Sequence, residues 1–186
     1  MSYGCLSLVV GPSGAGKDTL IRGARTALAG DGTFVFPPRE VTRPVAPDCE
    51  EHVSIAEAEF RARRAAGAYA LSWRAHGLGY GIPRRIEHDL DRGRTVVVNV
   101  SRTVIAEARR RYPRVRVIHV TAPPALLAAR LRGRGRECDL AVAARLARAE
   151  EITVTGADVV TLVNDGPPER AVQQFIHLLC QARAVV

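Results

Sequence analysis

The chain has 186 residues, 47% of them hydrophobic and 25% charged, as expected for one globular domain with a substantial core. Its apolar runs are strand-sized and no long apolar segment follows the N-terminus, so we expect a cytoplasmic protein without a membrane span or signal peptide. The net charge of +8 is typical of nucleic-acid binding, but the one tryptophan, four tyrosines and four phenylalanines are not interleaved with basic residues as a stacking platform requires, so we expect no nucleic-acid partner.

Strand-like and helix-like segments alternate along the chain. Apolar runs predict strands at 6–10, 33–36, 95–100, 115–120 and 159–163. Helical patterns are predicted at 19–29, 84–92, 103–112, 124–132, 140–151 and 169–183. This alternation is typical of an α/β fold in which helices cover both faces of a five-stranded parallel sheet. No repeat or linker divides the chain, so we expect a single domain over 1–186.

A glycine-rich motif with the spacing G-x-x-x-x-G-K follows the first predicted strand and opens the first predicted helix. It comprises Gly11, Pro12, Ser13, Gly14, Ala15, Gly16 and Lys17. Its glycines let successive backbone N–H groups surround a phosphate, and the helix N-terminus adds its positive end. Lys17 is the only lysine in the chain, and its compact ammonium suits a triphosphate. Because strand, loop and helix occur in the required order, we favour nucleoside triphosphate binding over a plain turn that caps a buried strand.

Two segments interrupt the alternation. The first, 40–83, carries a predicted short helix, for which Ser54 and Glu57 have the spacing of a capping box and Gly67 is the expected stop. The second is rich in glycine and arginine at 133–139, within a region spanning 130–148. A P-loop kinase needs one part to hold the acceptor and another to close over the donor. We therefore assign 40–83 to acceptor binding and 130–148 to a lid.

Several short motifs together resemble guanylate-kinase-type proteins. They are the phosphate loop, Thr42-Arg43, the segment from Ala75 to Gly81, the arginine-rich lid and Val163-Asn164-Asp165. Within that group the chain most resembles the ribose 1,5-bisphosphate phosphokinases of bacterial phosphonate metabolism. That similarity rests on Gly16-Lys17-Asp18, Glu50 with His52, Leu71-Ser72-Trp73 and the segments 98–102 and 134–137. The resemblance implies a three-layer P-loop kinase fold, ATP as co-substrate, and conversion of ribose 1,5-bisphosphate into 5-phosphoribosyl 1-diphosphate.

The acceptor side departs from guanylate kinases in a way that bears on the substrate. In the alignment that the resemblance implies, Leu71 and Ser101 stand where guanylate kinases carry acids that accept hydrogen bonds from guanine. A buried unpaired polar group costs on the order of 1–3 kcal/mol, so two such losses would cripple base recognition and we expect a sugar phosphate instead. Arg43 and Tyr80 match the family's acceptor-phosphate residues. Further acceptor candidates are Gly81, Arg102 and His76, although for His76 we favour a structural hydrogen bond within the 77–81 loop.

The expected metal site also departs from the usual pattern, in which G-K-[ST] supplies a hydroxyl and a neighbouring strand supplies an aspartate. Here Asp18 follows the lysine and Asn99 lies near the end of the strand at 95–100. Thr19 belongs to the nucleotide site, but one helical step turns its hydroxyl about 100° away from the metal. We expect Asp18 and Asn99 to hold Mg²⁺, which takes oxygen ligands and keeps several waters. The alternative is that Asp18 only complements the positive end of the helix.

Phosphoryl transfer depends on positioning and on charge neutralisation. No general base is expected, because the acceptor oxygen belongs to a phosphate that is already ionised. The expected catalytic cations are Lys17, bridging the β and γ phosphates, and Arg130, Arg134, Arg136 and Arg145, closing on the transferring group. The resemblance implies that Asn164 and Asp165 lie at the adenine side of ATP.

Three alternatives stay open. A guanylate kinase or another nucleoside monophosphate kinase would use the same chemistry with another acceptor. A catalytically inactive guanylate-kinase-like binding module is disfavoured because the phosphate-loop lysine and the lid arginines are present. A polynucleotide binder would show an affinity that falls steeply with salt and does not depend on Lys17. The sequence leaves the choice between monomer and homodimer open.

Overall fold

Valine- and leucine-rich runs form the strands of a parallel sheet at the centre of the molecule. The computed structural model describes residues 3–44, 52–132 and 154–184. The strands are β1 (Cys5–Val10), β2 (Phe34–Val35), β3 (Arg39–Val41), β4 (His52–Ser54), β5 (Tyr69–Ala75), β6 (Leu78–Pro83), β7 (Thr95–Asn99), β8 (Val115–Thr121) and β9 (Val159–Val163). The helices are α1 (Lys17–Ala27), α2 (Glu57–Ala65), α3 (Ile86–Asp91), α4 (Ile105–Arg111), α5 (Pro124–Arg132) and α6 (Pro168–Ala184). A 3₁₀ turn at Arg102–Val104 precedes α4. Within these ranges no helix is long and apolar enough to cross a membrane.

The central sheet has the order β2, β7, β1, β8, β9, and all neighbouring strands run parallel. Every residue of β1 is buried, as expected for the middle strand of a sheet that is covered on both faces. Side chains of one face pack with α3 and α4, and those of the other face pack with α1 and α6. The predicted α/β fold with a five-stranded parallel sheet is confirmed.

A second sheet, with the order β4, β3, β6, β5, is built mainly from the segment predicted to bind the acceptor. Both β3 and β5 run antiparallel to β6, whereas β4 runs parallel to β3. Strands β5 and β6 form a hairpin whose tip is His76-Gly77, with positive φ angles of 51° and 74°, as tight hairpin turns require. On the outer face of this sheet, Phe60 of α2 is fully buried next to Gly79.

Local predictions within this segment were partly wrong. The capping box of Ser54 and Glu57 does not form, because Ser54 belongs to β4 and Ala56 precedes α2 without a side-chain cap. The expected stop at Gly67 is confirmed, since this residue follows the helix end with φ of 68°. The stretch 77–81, expected as a loop, lies mostly in β6. The helix predicted at 140–151 lies outside the described residues.

A buried carboxylate ties the second sheet to α2. Glu40 of β3 is 7% exposed and accepts hydrogen bonds from the Tyr69 hydroxyl and from Nη1 of Arg63, both at 2.6 Å. Burial and the hydrogen bond to Glu40 raise the pKa of Tyr69, so the phenol stays a donor. A buried charge is tolerated when a counter-charge and donors satisfy it, and this set therefore fixes β3, β5 and α2 together.

We predict that Tyr69→Phe lowers the free energy of unfolding by about 1–3 kcal/mol, because it leaves a buried carboxylate with one donor fewer. Tyr112→Phe is the matched control, since the Tyr112 hydroxyl donates to Glu87, whose side chain is 30% exposed and can be hydrated. Urea unfolding of both variants measures the difference. Equal losses in the two variants would contradict the structural role assigned to Glu40.

Candidate functional site

The phosphate loop lies at the carboxyl end of β1 and opens α1. Gly16 precedes α1 with φ of 90°, and a Cβ there would overlap the Asn164 amide nitrogen. That position therefore requires glycine for both its backbone angle and its close contact. The Lys17 ammonium donates to the carbonyl oxygens of Gly11 and Pro12, both at 2.9 Å. The loop thus holds its lysine folded over its own backbone, where an anion can take the place of the carbonyl partners.

Two further side chains hold the loop from outside. Asn164 follows β9 and is 6% exposed; its Nδ2 donates to the carbonyl oxygen of Ala15 at 2.8 Å. Arg130 of α5 donates from Nη1 to the carbonyl oxygen of Gly14 at 3.4 Å. The structure therefore brings both predicted residues to the loop. Asp165, next along the chain, lines a cavity of about 620 Å³ between β9 and α6.

The structure brings together the two residues predicted to hold a metal. Asn99 of β7 donates from Nδ2 to Oδ1 of Asp18 in the first turn of α1, at 2.7 Å. Thr19, predicted to belong to the nucleotide site, is exposed on α1. Within the described ranges no group of three His, Cys, Asp or Glu residues could hold a metal ion, so any cation here would rely on the Asp18–Asn99 pair and on phosphate oxygens.

His119 shows that two cations converge near the loop. It lies in β8, opposite Val10 of β1. Burial lowers the pKa of His119, and the positive charges of Arg102 and Lys17 lower it further. Arg102, at the start of the 3₁₀ turn, is itself partly desolvated, and burial lowers its pKa. Arg102 and Lys17 are therefore both close enough to His119 to act on its pKa.

Strand β3 and the residues after it lead toward the predicted acceptor site. Thr42 accepts a hydrogen bond at Oγ1 from the Gly79 backbone N–H at 2.8 Å, which fixes this segment to β6. Among the described residues the Nε atom of Arg43 is buried and has no hydrogen-bond partner. His52 of β4 donates from Nε2 to the Arg43 carbonyl oxygen at 3.3 Å. Arg43 is thus positioned by its backbone while part of its guanidinium is unsatisfied.

The predicted acceptor residue Tyr80 lies in an aromatic stack. Its ring is parallel to that of Trp73, with an interplanar angle of 4° and a centroid distance of 5.2 Å. The guanidinium carbon of Arg39 lies 5.2 Å from the centre of the same ring. Gly81 faces the opposite side, where a Cβ would overlap the ring of Tyr69. The Tyr69 ring therefore leaves no room for a side chain at position 81.

The two positions that the resemblance assigns to purine recognition are Leu71 and Ser101, and neither is a carboxylate. Leu71 is fully buried in the apolar core beside the central sheet. Ser101 caps the 3₁₀ turn, and its hydroxyl accepts hydrogen bonds from the backbone N–H and the hydroxyl of Thr103. Neither residue can accept the hydrogen bonds that guanine offers, as Leu71 is apolar and Ser101 is engaged in the cap.

Other predicted residues lie apart from this cluster. His76 is exposed at the hairpin tip. Arg134, Arg136, Arg145 and Glu50 lie outside the described residues. The sequence motifs do not include Arg39 or Glu40, although these two residues precede Thr42-Arg43 in a strand pattern that places one side chain on each face.

The fold and the phosphate loop define the protein as a P-loop kinase of the guanylate-kinase type. Guanylate kinase from Anaplasma phagocytophilum superposes with a TM-score of 0.70 at 19% identity, over 98% of this chain and 87% of that chain. Two curated proteins named ribose 1,5-bisphosphate phosphokinase PhnN are each 52% identical to the chain. The one from Methylobacterium radiotolerans aligns over 94% of this chain and 97% of its own length, and the one from Acidiphilium cryptum over 97% and 94%. No protein-family model matches. The chain belongs to the ribose 1,5-bisphosphate phosphokinase PhnN family.

The titration of His119 tests the convergence of cations at the loop. We predict that Lys17→Met raises the pKa of His119 toward its ordinary value, and that inorganic tripolyphosphate does the same by neutralising the two cations. NMR titration of the imidazole protons measures both shifts. Arg22→Met, which removes a charge from the exposed side of α1, is the matched control. An unchanged His119 pKa in the Lys17→Met protein would contradict this placement.

Proposed function

We propose that the protein transfers the γ-phosphoryl group of ATP to the 1-phosphate of ribose 1,5-bisphosphate, giving 5-phosphoribosyl 1-diphosphate and ADP. The family membership supports this proposal, and one structural observation carries it for this chain. The acceptor side retains Arg43 and Tyr80, whereas Leu71 is buried in the core where a purine acceptor would need a carboxylate. Phosphate recognition without base recognition fits a phosphorylated sugar.

The donor side is assigned to the phosphate loop. The backbone N–H groups from Gly11 to Lys17 would surround the β-phosphate, and Lys17 would exchange its two carbonyl partners for β and γ oxygens. Arg130, already in contact with the loop, would neutralise the transferring group. Asn164 holds the loop, and Asp165 borders the adenine side. Arg134, Arg136 and Arg145 remain predicted lid cations.

The Asp18–Asn99 pair suits Mg²⁺, since a carboxylate and an amide offer hard oxygen ligands. When bound, the ion would neutralise charge on the β and γ phosphates. The hydrogen bond from Asn99 orients the Asp18 carboxylate, which would be one of the groups that hold the ion. Such a pair needs no hydroxyl from Thr19, which is exposed.

The acceptor side would work by orientation and charge. Arg43, with its buried Nε, and the Tyr80 hydroxyl would hold the reacting 1-phosphate, and Arg102 would face it from the central sheet. An oxygen of this phosphate attacks the γ-phosphorus as the bond to the β–γ bridging oxygen breaks, and ADP leaves. The attacking oxygen carries no proton near neutral pH, so no residue needs to accept one. His76 and Gly81 would shape the loop and strand around this site.

We predict turnover of ribose 1,5-bisphosphate in the presence of ATP and Mg²⁺, followed by ³¹P NMR, which identifies the diphosphate at C1. Lys17→Met should lower kcat by about 10²- to 10³-fold through loss of charge stabilisation, whereas Arg22→Met should not. Guanosine monophosphate serves as the competing acceptor. Faster phosphorylation of guanosine monophosphate than of the bisphosphate would overturn the proposal in favour of a guanylate kinase.

Asp18→Ser tests the metal assignment. We expect it to raise the Mg²⁺ concentration needed for half-maximal turnover by about 10- to 100-fold. Calorimetry should also show that Mg²⁺ strengthens ATP binding less than it does in the wild type. Asp91→Ser, an exposed aspartate of α3, is the matched control. If the Mg²⁺ dependence of Asp18→Ser equals that of the wild type, Asp18 is not a ligand.

A further inference from the structure

One face of the second sheet carries a row formed by Arg39, Tyr80 and Trp73. The sheet order sets Tyr80 in β6, between β3 with Arg39 and β5 with Trp73. The guanidinium of Arg39 and the ring of Trp73 both contact the Tyr80 ring, each about 5 Å from its centre. Cation–π and stacking contacts of this kind fix the plane and the position of a long arginine side chain.

This row faces the central sheet, not α2. Gly79 and Gly81, which flank Tyr80, face Phe60 and Tyr69 on the outer side. Because side chains alternate along a strand, Tyr80 points to the other face. Trp73 belongs to the core cluster beside the central sheet, and Tyr80 packs against that cluster. Arg39 therefore lies on the face of the second sheet that is turned toward the central sheet, and we call this the cleft face. Its strand, β3, leads to Arg43.

A sugar that carries two phosphates presents a reacting phosphate and a distant one. Lys17 opens α1, and Arg102 closely follows β7, whose Asn99 contacts Asp18 of α1, so these two cations lie on the side of the phosphate loop, with the reacting end. Arg39 lies four residues before Arg43 and is held in the aromatic row of the second sheet. This cation of the second sheet is therefore the one we assign to the distant end.

We propose that Arg39 binds the 5-phosphate of the acceptor and is the residue that selects a bisphosphorylated sugar over a nucleoside monophosphate. This inference rests on the proposed function. The guanidinium fork matches two oxygens of a phosphate, and Tyr80 holds that fork in place while its hydroxyl remains for the 1-phosphate. Arg74 makes a similar contact on the outer face, where its guanidinium carbon lies 5.6 Å from the centre of the Phe60 ring. If the Arg39–Tyr80 contact were only structural, removing either arginine would have the same effect.

The test compares Arg39→Met with Arg74→Met, which removes the matching cation–π contact from the outer face. Two competitive inhibitors separate the phosphates: ribose 5-phosphate carries only the distant group, and ribose 1-phosphate carries only the reacting one. We expect Arg39→Met to raise the inhibition constant of ribose 5-phosphate, and the KM for the bisphosphate, by about 10- to 100-fold. Inhibition by ribose 1-phosphate and kcat should change less than about threefold, and Arg74→Met should change none of these values.

The role of Arg39 would be overturned if Arg39→Met raised the inhibition constants of both inhibitors equally. It would also be overturned if Arg39→Met left the inhibition constant of ribose 5-phosphate unchanged. A wild-type enzyme that ribose 5-phosphate does not inhibit would overturn it as well. Arg39→Lys keeps the positive charge without the guanidinium fork. We expect it to raise the inhibition constant of ribose 5-phosphate alone, and by less than Arg39→Met does. This variant controls for a folding defect in Arg39→Met. A wild type that does not phosphorylate the bisphosphate would instead refute the proposed function.

Discussion

Two phosphate-bearing substrates repel each other, so a site that joins them must gather positive charge and N–H donors from several segments. The parallel sheet meets this requirement because the carboxyl ends of its strands lie at one edge. From that edge come the loop with Lys17, Asn99 beside Asp18, and Asn164, which holds the loop through the Ala15 carbonyl. Contacts from neighbouring strands thus fix the shape of the loop, and fixed donors suit the stabilisation of phosphate charge.

Under the proposed function, one face of the second sheet serves structure and the other serves recognition. On its outer face the buried Glu40 accepts hydrogen bonds from the Tyr69 hydroxyl and from the exposed Arg63, and these contacts stabilise the sheet. Its cleft face carries Tyr80 in the aromatic row and leads to Arg43, whose buried Nε lacks a partner among the described residues. A protein built to read a purine would need hydrogen-bond acceptors on that face. Phosphate recognition needs fixed cations, and these are what the face supplies.

Much of the central sheet could be predicted from the sequence, because strands buried on both faces read as continuous apolar runs such as 95–100. The second sheet was missed because β3 and β4 have three residues each and β6 contains two glycines. Ser54 was taken for a helix cap because local spacing cannot reveal pairing between β4 and β3. Asp18 and Asn99 were predicted as two ligands of one metal site, and the structure brings them within hydrogen-bond distance. The buried charge of Glu40 could not be predicted, since a lone carboxylate gives no sign of its distant partners.

The most direct test of this account is a crystal structure of the protein with a non-hydrolysable ATP analogue and, in parallel soaks, ribose 1,5-bisphosphate or guanosine monophosphate. The account predicts the sugar 1-phosphate at Arg43 and Tyr80, facing the γ-phosphate above Lys17. A purine ring held by specific polar contacts beside Leu71 and Ser101, with no ordered bisphosphate, would contradict it.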